Sequence, residues 1–133
     1  MYSTVKTKID TVMAGLSYTE SPALFNIEKL PSSIFDKSYF VEFVKITTDA
    51  YLSGNEMIEA MIINVNIGYE ITSTTSYNTA IGYFEAVRDE FAKSSNYVSG
   101  TVKTDFADAC EVKWFDTKTN IWLIGKIPLM IIY

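Results

Sequence analysis

Histidine is absent from this sequence, and cysteine and arginine each occur once. Without histidine, Cys–His and Ser–His catalytic pairs and His-ligated metal sites are excluded. The single thiol, Cys110, cannot close an internal disulfide, which points to a reducing compartment. In the run Cys110-Glu-Val112-Lys-Trp114 it falls on the apolar side of an alternating strand and reads as a small buried hydrophobe. Eleven basic residues, among them the one arginine, Arg88, face 16 acidic ones for a formal net charge of -5. A phosphate-binding groove needs clustered Lys and Arg, so direct nucleic-acid binding is not expected. Gly-rich phosphate loops and the ligand spacing of a calcium loop are missing as well.

Long apolar runs are also lacking. The most apolar stretch, Ile121 to Tyr133, holds Lys126 and Pro128 and falls short of the roughly 20 residues of a membrane span. The first ten residues contain no apolar core of a secretory signal, so a soluble, intracellular protein is expected. Carboxylates do pair along the chain, as Glu56 with Glu59, Asp89 with Glu90 and Asp105 with Asp108. Each pair falls on a wet face or in a loop and reads as solvated charge. No catalytic residue, metal or cofactor is expected.

What the chain does have is apolar content of 48% and aromatic content of 14%, which suits one globular domain over residues 1–133. Its centre is the stretch Glu56 to Ile71. Met57, Met61, Ile63, Val65, Ile67, Tyr69 and Ile71 alternate onto one face, while the other turns polar through Asn64, Asn66, Gly68 and Glu70. Such alternation predicts a strand of roughly 50 Å with one face on a core and a bend or bulge at Gly68.

Around it, Val5, Ile9, Val12, Met13 and Leu16 predict a helix over 4–16, capped by Ser3 or Thr4 and ended at Gly15. Residues 17–37, with Pro22 and Pro31, predict an irregular segment pinned by its apolar residues, with an extended piece near Phe25 to Glu28. Tyr39 to Thr47 is aromatic and β-branched and predicts a strand, joined to the long one by a projecting hairpin with its turn at Ser53-Gly54-Asn55. Tyr51 and Leu52 are unusually apolar for a tip. Either they fold back on the sheet or another subunit covers them.

A second helix is predicted from about Tyr77 to Lys93, with Gly82 marking close approach of another backbone. A polar loop over 94–108 follows, then strands over 109–115 and 121–133. Tyr39, Phe40, Phe43, Trp114 and Phe115 alternate as core residues do. Pro128 predicts a sheet edge or a bulge in the last strand, and an exposed apolar edge there calls for cover by a neighbouring chain. The expected fold class is α+β, a mostly antiparallel sheet with two helices packed on one face and a long projecting β-hairpin.

The order of these parts resembles that of the tail-terminator (minor tail protein) family of long, non-contractile-tailed bacteriophages of the lambda type. Tyr39-Phe-Val-Glu-Phe-Val-Lys-Ile-Thr47, the strand from Glu59 to Gly68, and the ending Asp116-Thr-Lys-Thr-Asn-Ile-Trp122 through Leu129-Met-Ile-Ile-Tyr133 carry the resemblance. It is one of layout, and residues 17–37 and 94–108 correspond least. The resemblance implies a structural virion protein that forms a ring, a hexamer in that family, on the last ring of tail-tube protein. The ring ends polymerisation and presents a joining surface to the head connector, at the tail–neck junction after assembly in the host cytoplasm. Implied partners are further copies of the chain, the tube protein, the connector or adaptor and the end of the tape-measure protein, with DNA only as passing cargo and no membrane. Candidate contacts are Asp49, Tyr51, Leu52 and Asn55 at the hairpin tip, Gly100, Lys103 and Asp105 in the second loop, and Trp122 and Lys126 in the closing strand. Two other readings are a head-completion adaptor of the neck and a small-ligand α+β domain whose pocket takes polar groups from Asn64, Asn66 and Tyr69.

Overall fold

The computed structural model describes residues 2–52, 56–96 and 103–132, with the backbone path alone at 48–52, 56–58 and 103–105. The elements run α1 (Tyr2–Gly15), β1 (Thr19–Glu20), β2 (Ser38–Leu52), β3 (Glu56–Ile71), α2 (Tyr77–Ala92), a 3-10 turn (Ser94–Asn96), β4 (Lys103–Phe106), β5 (Glu111–Asp116) and β6 (Ile121–Ile132). The strands form one mixed sheet in the order β1-β2-β3-β6, with β4 and β5 both lying beyond β6. All pairs are antiparallel except β1 with β2.

The long strand is placed as its alternation requires. On one side Met61, Ile63, Val65, Ile67 and Tyr69 are buried, joined by Leu123, Ile127, Leu129 and Ile131 of β6. Both helices cover that side. Val5, Ile9, Val12 and Met13 of α1 and Ala80, Phe84, Val87 and Phe91 of α2 recur at helical spacing and bury into the same core. The fold is α+β, as the sequence predicts.

Several details differ from expectation. α1 begins at Tyr2, so neither Ser3 nor Thr4 caps it. It ends at Gly15 as expected, but the left-handed residue that closes it is Ser17 (φ 67°), while Tyr18 N donates to Met13 O and Ser17 N to Ala14 O. The extended piece expected near Phe25 is a tight turn closed by a bridge between Asn26 and Lys29. The loop over 94–108 contains the 3-10 turn and β4. The register with β6 passes Gly68 without a break, and the pairing with β2 ends there, at Ser38. The glycine's missing side chain makes room instead, because a Cβ there would lie 2.6 Å from Ile34 Cδ1. Gly82 has no such role, with nothing within 4 Å of a Cβ placed on it.

The largest correction concerns β6. It is an interior strand, paired with β3 on one side and with β4 and β5 on the other. Pro128 falls between the residues paired with β5, which end at Lys126, and those paired with β4, which begin at Leu129. Pro128 O accepts from Ala107 N at 3.0 Å. A residue of an antiparallel strand turns its amide and carbonyl to the same side, so the donor that proline lacks faces the break between two neighbouring strands. β6 therefore needs no foreign chain to cover it.

Candidate functional site

The far side of the sheet carries no helix, and half of it is covered by the irregular segment before β2. Phe25 is buried there with its ring 6.4 Å from that of Phe40, Ile34 lies over Gly68, and Asp36 Oδ1 accepts from Glu70 N at 2.9 Å. Trp122 and Ile124 are buried, outside the helix-side core. Asn66, between Phe40 and Lys126 in the register, is fully buried. Neither of its amide atoms has a hydrogen-bond partner among the described residues.

The other half is open. Lys45, Thr47, Ile62, Asn64, Lys126 and Met130 line a shallow concavity of about 400 Å³. Its polar groups are turned to one another and to neighbours: Asn64 Nδ2 donates to Glu42 Oε1 at 3.0 Å, and Lys126 pairs with Glu111 at 3.3 Å. Tyr69 stands on the opposite side, buried, its hydroxyl 2.9 Å from that of Tyr18. The polar trio expected for a ligand pocket is thus divided between two faces of the sheet.

The sheet's outer edge at β2 is a different kind of surface. β1 pairs only with Ser38 and Tyr39, and Ser21 N adds one bond to Tyr39 O at 2.8 Å. Beyond this point no described strand flanks β2. A bulge between Phe43 and Lys45 changes the strand's phase, so that Phe43 stands opposite Ile63 and Ile46 opposite Met61, both on the helix side. Phe43, Val44 and Ile46 are 46%, 43% and 51% exposed. The ring of Tyr2 meets Phe43 edge-on at 5.7 Å. Phe43 is therefore not the core residue that simple alternation predicts, nor is Trp114, which is 45% exposed and stacked at 4.9 Å on Tyr77.

A charged cluster anchors the inner end of this edge to α1. Lys6 Nζ lies 2.7 Å from Asp10 and 2.9 Å from Glu20, and Tyr39 Oη donates to Asp10 Oδ1 at 2.7 Å. Burial, reinforced by the Asp10 carboxylate, pushes the Tyr39 phenol well above its ordinary range. Cys110 is half-buried beside α2. Burial raises its thiol against an opposing pull from Arg88, which makes it a poor nucleophile.

The residues singled out in the sequence do not converge. Asp49, Tyr51 and Leu52 belong to β2, and Lys103 and Asp105 to β4, with only their backbone described. Asn55, Gly100 and the hairpin turn lie outside the described residues. Trp122 is 7% exposed and offers little surface to a neighbour, and Lys126 borders the far-side concavity. The exposed edge at Phe43, Val44 and Ile46 was missed because alternation was followed through the bulge. The spacing of Val41, Phe43 and Ile46, two and then three residues, is the signal that marks it. Among the described residues, no three acidic or thiol side chains are grouped to hold a metal, and no helix is long and apolar enough to cross a membrane.

No model of a known protein family matches the chain, and no curated protein sequence is similar to it.

Proposed function

We propose that this protein is a structural subunit of the tail-terminator kind, acting by stoichiometric capping rather than by turnover. Copies assemble as a ring on the end of a phage tail tube, stop its growth and offer the joining surface to the head connector. The observation that carries this reading is the β2 edge, a strand that continues past its only outer neighbour among the described residues with three half-exposed apolar side chains. A row of unpaired backbone groups flanked by apolar side chains is a liability in an isolated chain and an asset in an assembly. The layout of helices and long strands described above supports it, and the net charge of -5 suits a lumen that DNA passes without adhering. In this reading the oligomer rests on β2, since β6 is covered by its own chain.

Electron microscopy of tails assembled with and without the protein tests the proposal. Overlong tubes without joined heads are expected in its absence. Tubes of normal length would overturn the terminator role, and binding to portals in place of tube ends would favour the head-completion adaptor.

A further inference from the structure

β5 forms the other edge of the sheet. It pairs with β6 alone, and no described strand flanks its outer side. We propose that this side takes β5 of a second copy, antiparallel, about a two-fold axis through Trp114. The contact goes beyond the ring reading, because it closes after two copies and leaves β2 of each free.

Backbone direction limits which residues can meet. Thr117 N donates to Asn120 O across the hairpin, so the odd-numbered residues of β5 turn their amides and carbonyls to β6. Val112, Trp114 and Asp116 therefore present theirs outward. With the axis at Trp114, that residue meets its own copy, and Val112 meets the partner's Asp116 on either side. No other register pairs all three. Centred on Lys113, two lysine side chains face each other, which opposes pairing. Centred on Val112, Asp116 falls opposite Asp108, and Trp114 to Asp116 run beside residues 108–110, which belong to no strand. Centred on Trp114, the partner chain turns back to its own β6 at Thr117, opposite Glu111, and stays clear of that break. β2 of a neighbour is a poorer occupant. With Glu42 on Lys113 it brings Glu20 and Ser21 against Phe115 and Asp116, and the slip that clears them sets Lys45 against Lys113.

Side chains fit the same register. Trp114 stacks on Tyr77 of α2, so the outward residues stand on the helix side, and an axis normal to the sheet keeps the helices of both copies there. α2 packs over β3, β6 and β4, so the two β5 strands separate it from its mate. Val112 and Trp114, 38% and 45% exposed, are covered by their own counterparts. On the far side Lys113 stands opposite the partner's Phe115, in place for a cation–π contact like the one it makes at 5.7 Å with Phe115 of its own chain. That ring enters open ground, a groove of about 440 Å³ between Glu111, Val112 and Lys113 and the turn residues Ile27 and Glu28.

Cross-linking and sizing test this. All cysteine variants carry Cys110→Ser and are checked for folding by circular dichroism. Trp114 and its counterpart would form a hydrogen-bonded pair with Cα atoms about 5.5 Å apart, within the range a disulfide spans. Trp114→Cys is expected to link to itself on oxidation. Lys113→Cys mixed with Phe115→Cys, which keeps Trp114, is expected to link more than either alone. Val112→Pro removes an amide that faces the partner and none that faces β6, so it should fold and shift the sizing peak from dimer to monomer. If that variant does not fold, the cross-links decide alone. A single strand pair is a small contact, so sizing runs up to the solubility limit. A protein monomeric there, an oligomer in which neither expected link forms, Val112→Cys linking to itself, Lys113→Cys linking to itself in preference to Phe115→Cys, or a dimer that survives in folded Val112→Pro would overturn the proposal. Each of these leaves the ring reading standing, since microscopy of tails decides that separately.

Discussion

Gly125 and the ring of Phe84 occupy one place: a Cβ on the strand residue would stand within contact distance of three atoms of the buried ring, the nearest being Cε2. Phe84 is 6% exposed and held mid-helix, so it has little room to retreat. Gly125→Ala is expected to destabilise the fold by about 1–3 kcal/mol through overpacking, although alanine usually favours a strand over glycine. Gly82, in the same helix and with open space around it, should respond in the opposite sense. Gly82→Ala should stabilise by up to about 1 kcal/mol. Denaturant midpoints of the two variants measure both effects, and two shifts of the same sign would contradict this packing.

Alkaline pH should unfold the protein through its buried phenols. Burial, aided by Tyr18, holds Tyr69 far above the ordinary tyrosine value of 10, and Tyr18 and Tyr39 are also raised, chiefly by burial. In the unfolded chain these phenols lose protons near pH 10 while the folded chain keeps them. The unfolded state then binds fewer protons, and stability is fully present below about pH 10 and falls as pH rises beyond it. The expected slope is about 1.4 kcal/mol per pH unit for a phenol as buried as Tyr69. Tyr69→Phe should be less stable at neutral pH, because Tyr18 loses its partner, yet should lose stability less steeply between about pH 10 and 12. Thermal midpoints over that range would show equal slopes if Tyr69 were not the titrating group.

How far the sequence can be read differs between periodic segments and strand edges. The helix stripes and the core side of β3 were legible because burial imposes a 3.6- or two-residue period on the residues themselves. The position of β6 was not. Whether a strand is interior depends on the partners that fold against it, and β4, which covers its end, is four residues in a polar stretch with no pattern of its own. Pro128 was a sound sign of a missing hydrogen bond, but sequence cannot distinguish an open edge from a break between two neighbours. Gly82 and Gly125 show the same limit: the close approach expected at Gly82 is absent, and the one at Gly125 is to Phe84, a side chain distant in sequence, which only packing reveals.

Asn66 is expected to lower stability as it stands. Its side chain is fully buried between Phe40 and Lys126 on the far side, with no partner for either amide atom among the described residues. Burying an unsatisfied amide costs about 1–3 kcal/mol, and leucine has a similar shape without that cost. Asn66→Leu should therefore raise the unfolding free energy by about 1 kcal/mol or more. A lower denaturant midpoint would mean that the amide is satisfied in solution.

The β2 edge separates folding from assembly in a measurable way. Val44 and Ile46 are about half exposed, so Val44→Lys or Ile46→Lys should change stability by no more than about 0.5 kcal/mol, as for other surface substitutions. Charged residues on an exposed edge oppose the addition of another strand, which is how natural sheets protect such edges. If copies of this chain join through β2, either variant should elute as a smaller species than the parent protein at equal concentration, and tails assembled with it should be overlong and headless. Gly125→Ala supplies the control, since it weakens the fold without touching the edge. The edge reading requires assembly to fail in the lysine variants at temperatures where they remain folded, and to persist in Gly125→Ala wherever that variant remains folded. Lysine variants that assemble normally would show that β2 is not the contact.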